Sequence, residues 1–135
     1  MIYDKIMKFG YHDTDATGIS YDESRIILDF EKGIYNLDES GREKDLTSCA
    51  KIIITVDTRY DKITNCVEFF EIGSKFKTIS LEIFCNLVKK STLGINNVYY
   101  SRFNSTILFE CGIKDKIYMF HIDGCTNFEV FFLDK

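Results

Sequence analysis

The chain has 135 residues, 45% of them hydrophobic and 28% charged, with a net charge of −4. That length and composition suit a single globular domain, 1–135, with a core of its own, and argue against wholesale disorder. The charge is uneven: residues 1–50 hold 11 acidic and 6 basic side chains (net −5) and residues 51–135 hold 10 and 11 (net +1), which disfavours a nucleic-acid footprint and suits a basic protein partner.

No apolar run is long enough to span a membrane, and MIYDKIMKF lacks the apolar centre of a signal peptide, so the expected location is cytoplasmic. The five cysteines, at 49, 66, 85, 111 and 125, are odd in number and form no C-x-x-C pair. They read as buried free thiols used as small apolar fillers, not as a disulfide framework or zinc site. With neither Pro nor Trp, turns fall to Gly, Asn, Asp and Ser.

Residues 2–9 read as a first strand, broken by Gly10. The polar cluster His12-Asp13-Thr14-Asp15 follows, then a short strand at 18–21, the turn Asp22-Glu23-Ser24, and an alternating strand at 25–31. Ile26, Leu28 and Phe30 share one face of that strand, so a slip of one residue would bury Arg25 and Asp29. Another short strand starts at Gly33-Ile34-Tyr35, and 38–45 is polar enough for a surface loop centred on Gly41. The nearly continuous Ile52-Ile53-Ile54 with Val56 predicts a central strand buried on both faces. A turn at 59–62 leads into a strand at 65–72.

One packed helix is expected near residues 78–91. Thr78 or Ser80 serves as its cap, Ile79, Ile83, Phe84, Leu87 and Val88 form its apolar face, Lys89 and Lys90 lie in its last turn, and Gly94 is its stop. Beyond 97 the pattern is all strand, at 98–103, 106–111, 116–122 and 127–133, with Asp123-Gly124 as a tight hairpin turn. The fold class is α+β, mainly antiparallel β-sheet, a meander, half-barrel or sandwich-like arrangement with that one helix.

Chemistry is less legible. His12, Asp13 and Asp15 could hold a metal or form a base with an orienting carboxylate, which would make a small metal- or ligand-binding enzyme. A metal needs ligands converging from more than one element, and a hydrogen-bonded turn explains the cluster more simply. A Cys–His pair would need His121 beside Cys111 or Cys125, yet no oxyanion loop accompanies them. The glycines form no phosphate-binding motif. The 12 Phe and 8 Tyr lack interleaved Lys and Arg, so they belong to a core and not to a base-stacking platform. Tyr99-Tyr100 and Phe131-Phe132 place one ring on each sheet face, where an exposed ring could anchor a protein partner.

The segment His12-Asp13-Thr14-Asp15, Ile19-Ser20-Tyr21-Asp22, Ile26-Ile27-Leu28-Asp29-Phe30 and Gly33 resembles the opening of small β-rich bacterial proteins that begin with His-Asp-Ser or His-Asp-Cys. Several of these look like immunity partners of polymorphic or contact-dependent toxins. About 25 of the 135 residues carry the resemblance. Thr14 stands where Ser or Cys is usual, and Ala16-Thr17-Gly18 where an apolar residue is usual. The resemblance implies no enzymatic activity and no cofactor. It implies tight binding to a basic toxin whose active site is occluded, with no nucleic acid or membrane as partner. Asp13, Asp15, Asp22, Glu23, Asp38, Glu39, Glu43 and Tyr99 are the expected partner-binding residues.

Overall fold

The computed structural model describes residues 1–73 and 77–133. Its elements run α1 (Ile2–Ile6), β1 (Phe9–Gly10), β2 (Thr14–Ala16), β3 (Gly18–Tyr21), β4 (Arg25–Phe30), β5 (Tyr35–Leu37), β6 (Glu43–Leu46) and β7 (Ala50–Val56). Then follow α2 (Ile63–Cys66), β8 (Val67–Ile72), β9 (Lys77–Ile79), α3 (Leu81–Lys90), β10 (Leu93–Ser101), β11 (Thr106–Ile113), β12 (Lys116–Ile122) and β13 (Cys125–Phe132). The strands form a six-stranded sheet, order β2-β10-β11-β12-β8-β9, a four-stranded sheet, order β13-β7-β4-β3, and a small one, order β1-β5-β6. Each pairing among the described residues is antiparallel, so the expected mainly antiparallel α+β class holds.

Both large sheets turn one face into a shared core. Strand β4 buries Ile26, Leu28 and Phe30 completely, and β7 matches them with Ile52, Ile54 and Ala50. In the six-stranded sheet the inward phase is Ile107, Phe109, Cys111 and Ile113 on β11, Tyr118, Phe120 and Ile122 on β12, and Val67 and Phe69 on β8. Helix α3 lies against this layer. Phe84 stacks on Phe69 with ring centroids 4.0 Å apart and tilts against Phe120 at 5.5 Å. Such aromatic pairs add to the stabilisation given by area burial alone. The chain passes between the large sheets at Thr17, from β7 to β8 through α2, and again at Asp123-Gly124.

Several local expectations need correction. Residues 2–6 are helical, because Ile2 and Ile6 fall one turn apart and only Ile6 is fully buried, whereas a strand would alternate strictly. The window 38–45 is only half loop. Asp38 closes a turn through Gly41 (φ +83), and β6 then pairs with β5, Leu37 opposite Glu43. Strand β7 is central, but it alternates, with Ile53 half-buried on the outer face. A helical turn, α2, precedes β8.

The predicted helix exists as α3, capped by Ser80, whose Oγ accepts from the Ile83 N–H at 3.3 Å. Its buried face is Leu81, Phe84, Cys85 and Val88, while Ile83 is exposed and Ile79 belongs to β9. Gly94 lies in β10, and the helix stops at Ser91. Asp123-Gly124 does not close a hairpin. Both edges of β12 are already taken, by β11 and β8, so Gly124 (φ +68) turns the chain into the other sheet, where β13 pairs with β7.

Candidate functional site

The expected partner-binding residues are spread over several elements. Asp22 and Glu23 form the β3–β4 turn, where Asp22 accepts the N–H groups of Ser24 (3.0 Å) and Arg25 (2.8 Å) and pairs with the Arg25 guanidinium at 2.6 Å. Asp38 caps its own loop, accepting from the Ser40 hydroxyl and the N–H groups of Ser40 and Arg42. Those bonds hold the Asp38 carboxyl below the usual carboxylate range, the Arg42 N–H contributing most. Glu39 sits at the same hairpin tip, and the Glu43 side chain lies over Gly10, where a Cβ would meet it at 2.7 Å.

His12 is exposed, and its Nδ1 donates to the Asn96 carbonyl at 2.8 Å while Nε2 lies 3.3 Å from Asp13 Oδ2. That carbonyl, and then the Asp13 charge, raise the imidazole pKa. Asp13 has φ +59, a turn conformation that aspartate tolerates better than most residues. Asp15 leaves this pair and occupies β2 opposite Gly94. His12, Asp13 and Asp15 are therefore a surface turn plus one strand residue. Among the described residues, the one triple of potential metal ligands with atoms within 4.8 Å of one another is elsewhere: Glu68, His121 and Asp123.

That triple belongs to the outward phase of the six-stranded sheet, opposite the buried residues of β8, β11 and β12. Ladder register sets its rows. One runs Tyr99, Leu108, His121, Glu68; the next Asn97, Glu110, Met119, Phe70, Thr78; a third Asp15, Gly94, Gly112, Ile117, Ile72. Leu108, Met119, Phe70 and Ile72 are only half-buried, and Tyr99 and Ile117 are 49% and 55% exposed. The charges at these positions are Asp15, Glu68 and Glu110, with Asp123 at one end of the sheet, and no lysine or arginine stands among them. Single exposed apolar residues are ordinary on a protein surface, and here several stand side by side in the ladder with carboxylates beside them.

Within this face the side chains are held by one another. Glu110 accepts from the Tyr99 hydroxyl, and this bond, with burial and the carboxylate charge adding to it, raises the phenol pKa. His121 Nδ1 lies 3.2 Å from Asp123 Oδ1 and its Nε2 3.7 Å from Glu68 Oε1, while its ring stacks on Phe70. Thr106 Oγ1 donates to the same Asp123 oxygen at 2.7 Å. Tyr99, Leu108, Thr106, His121 and Asp123 enclose a concavity of about 380 Å³. A larger depression, about 870 Å³, lies between the β3–β4 turn and residues 58–65. Of its acids, Asp22 is paired with Arg25 and Asp61 accepts from the Asn65 amide at 2.9 Å, with Glu23 also in the lining.

Neither Cys111 nor Cys125 pairs with His121. Cys111 and Cys125 lie on the inward phase and donate to the Tyr118 and Ile122 carbonyls, and burial pushes each thiol up to about 12. His121 points the opposite way, beside Leu108 and Glu68. Of the expected residues, Tyr99 and Asp15 fall on this outward face. Phe131 and Phe132 are both exposed, Phe132 packing edge-on against Phe9. Sequence reasoning missed Glu68, Phe70, Leu108, Glu110 and Met119, although the doubled apolar phase of β8 (Val67 and Phe69 one way, Phe70 and Ile72 the other) signals a sheet with two sticky faces.

No family model, curated protein or solved structure matches this chain.

Proposed function

We propose that this protein is a non-enzymatic binding protein of the immunity type, which neutralises a basic cognate toxin in the cytoplasm by docking it on the outward face of the six-stranded sheet and occluding its active site. The observation that carries the reading is that face itself: half-exposed Tyr99, Leu108, Met119, Phe70 and Ile117, with carboxylates and neither lysine nor arginine at its outward ladder positions. Apolar and aromatic anchors supply affinity, and the single sign of charge selects a basic partner and speeds encounter. A nuclease-type toxin would be basic because it binds phosphates, so carboxylates on a rigid sheet would compete for the same cationic surface. The resemblance in residues 12–33 supplies the class of partner and is independent of the face.

The test is capture of a partner from the producing cells, followed by titration of the purified pair at low and high salt and assay of the partner's toxicity with and without this protein. The expected result is a basic, stoichiometric partner whose activity is lost on binding, with affinity falling as salt rises. Asp15→Lys with Glu110→Lys should weaken binding by a hundredfold or more, each reversal costing on the order of tenfold or above. Reversing Asp38, Glu39 and Glu43 together should weaken binding less, through long-range charge alone. Full affinity in the Asp15→Lys, Glu110→Lys variant would remove the sheet face from the interface, and a partner whose activity is untouched would end the immunity reading.

A further inference from the structure

We infer that the concavity bounded by Tyr99, Leu108, Thr106, His121 and Asp123 is a receptor for one guanidinium side chain, an arginine of the docked partner; the inference rests on the docking reading above and names its anchor. At about 380 Å³ the concavity is at the small end of ligand sites and has room for a side chain. Its walls and its end differ in chemistry. Tyr99 and Leu108 offer an aromatic face and an aliphatic edge, suited to an arginine's methylene stem and planar head. Asp123 supplies the charge.

The carboxylate is oriented before any ligand arrives. Its Oδ1 takes both the Thr106 hydroxyl (2.7 Å) and the imidazole Nδ1 (3.2 Å), and Oδ2 has no partner among the described residues. Glu68 adds a second acid across the ring. Tyr99 is held by Glu110 and His121 by Phe70, so the walls lose little freedom on binding.

A metal ion fits the same groups less well. The two carboxylates face opposite nitrogens of one imidazole, Asp123 at Nδ1 and Glu68 at Nε2. One ion can take only one of those nitrogens, so binding by all three residues would first break the ring's existing contacts. The triple is a hydrogen-bonded clamp that fixes the floor of the concavity.

The probe is Nα-acetyl-arginine methylamide, titrated into the ¹⁵N-labelled full chain and followed by amide shifts. Its uncharged citrulline counterpart and Zn²⁺ serve as parallel probes. The expected result is a saturable set of shifts at Tyr99, Ser101, Thr106, Leu108, His121 and Asp123. Citrulline should leave them unmoved, and Asp123→Asn should weaken binding about tenfold or more. Should Asp123→Asn perturb the fold, Tyr99→Ala, which removes a half-exposed ring, should still weaken the arginine response. Equal shifts with citrulline, an unchanged response in both variants, or a saturable Zn²⁺ response without an arginine response would each overturn the proposal. Partner affinity that survives Asp123→Asn but is lost in the Asp15→Lys, Glu110→Lys variant would remove the arginine pocket and leave the docking face standing.

Discussion

The two large sheets bury similar aliphatic and aromatic layers, and their outward faces differ. On the four-stranded sheet the outward rows mix signs and pair them. Asp29 stands opposite Lys51, which reaches its carboxylate at 3.7 Å, and Arg25 is bonded to Asp22. On the six-stranded sheet the outward carboxylates have no lysine or arginine among the ladder positions, and Leu108, Met119, Phe70 and Ile117 stand between them. Exposed ion pairs contribute little to stability, so the pairing on the first face is the ordinary solution to being a solvated surface. The second face is dressed differently although it folds by the same rules. A fold needs only one apolar face per sheet, and the second is the surface that the proposed docking uses.

Neighbouring residues on β12 give the largest predicted contrast. Phe120 is fully buried between Phe69, Phe84 and Phe109, whereas Met119 points outward. Phe120→Ala should cost about 3–5 kcal/mol of unfolding free energy, and Met119→Ala about 1 kcal/mol or less. Urea denaturation measures both. A comparable loss at Met119 would mean that its face is covered in solution, for instance by a second copy, and the contrast between the two outward faces would fail.

Thiol chemistry probes the same phase of the sheet more gently. Cys111 stands between Glu110 and Gly112 but points inward, with its thiol pushed up to about 12 by burial, and Cys125 is similar. Cys49, only half-buried, is the accessible one. In the native protein a disulfide reagent at neutral pH should modify Cys49 first, and Cys111 and Cys125 only on unfolding, because the thiolate is the reactive form. Rapid modification of Cys111 would place the wrong face of β11 outside.

Strand phase was the most legible part of the sequence. Strict alternation in 25–31 and β-branched density in 52–56 located β4 and β7, because burial on one face leaves a period of two. Pairing was less legible. Asp123-Gly124 is good hairpin chemistry, yet it turns a corner between sheets, since local φ preferences cannot report that β12 already has two neighbours. The N-terminal segment misled for a related reason, its apolar residues fitting a helix turn as well as a strand. The candidate site was mostly hidden. Asp15 and Tyr99 stood out as charge and exposed ring, but Glu68 lies 40 residues or more before Leu108, Glu110, Met119 and His121, and only the ladder assembles them.

The smallest predicted effect isolates what a nearby cation does. Just beyond β7, Arg59 donates to Asp57 through Nε at 3.0 Å and through its terminal nitrogen at 2.8 Å. These side-chain bonds first, then the Arg59 N–H, lower the Asp57 carboxyl from 3.8 to about 2. A folded-state pKa below the unfolded one means that the pair's contribution is present above the unfolded value and is lost as pH falls from about 4 through 2. Both groups are solvated, so this contribution to stability is small. The titration midpoint is the better readout. Followed by carboxyl ¹³C shifts, Asp57 should titrate near 2, and Arg59→Ala should return it towards 3.8. A wild-type midpoint already at the ordinary value would show that the pair does not persist in solution. The contrast would then narrow to the Asp22–Arg25 and Asp29–Lys51 pairs, the cations that most clearly separate the mixed face from the acidic one.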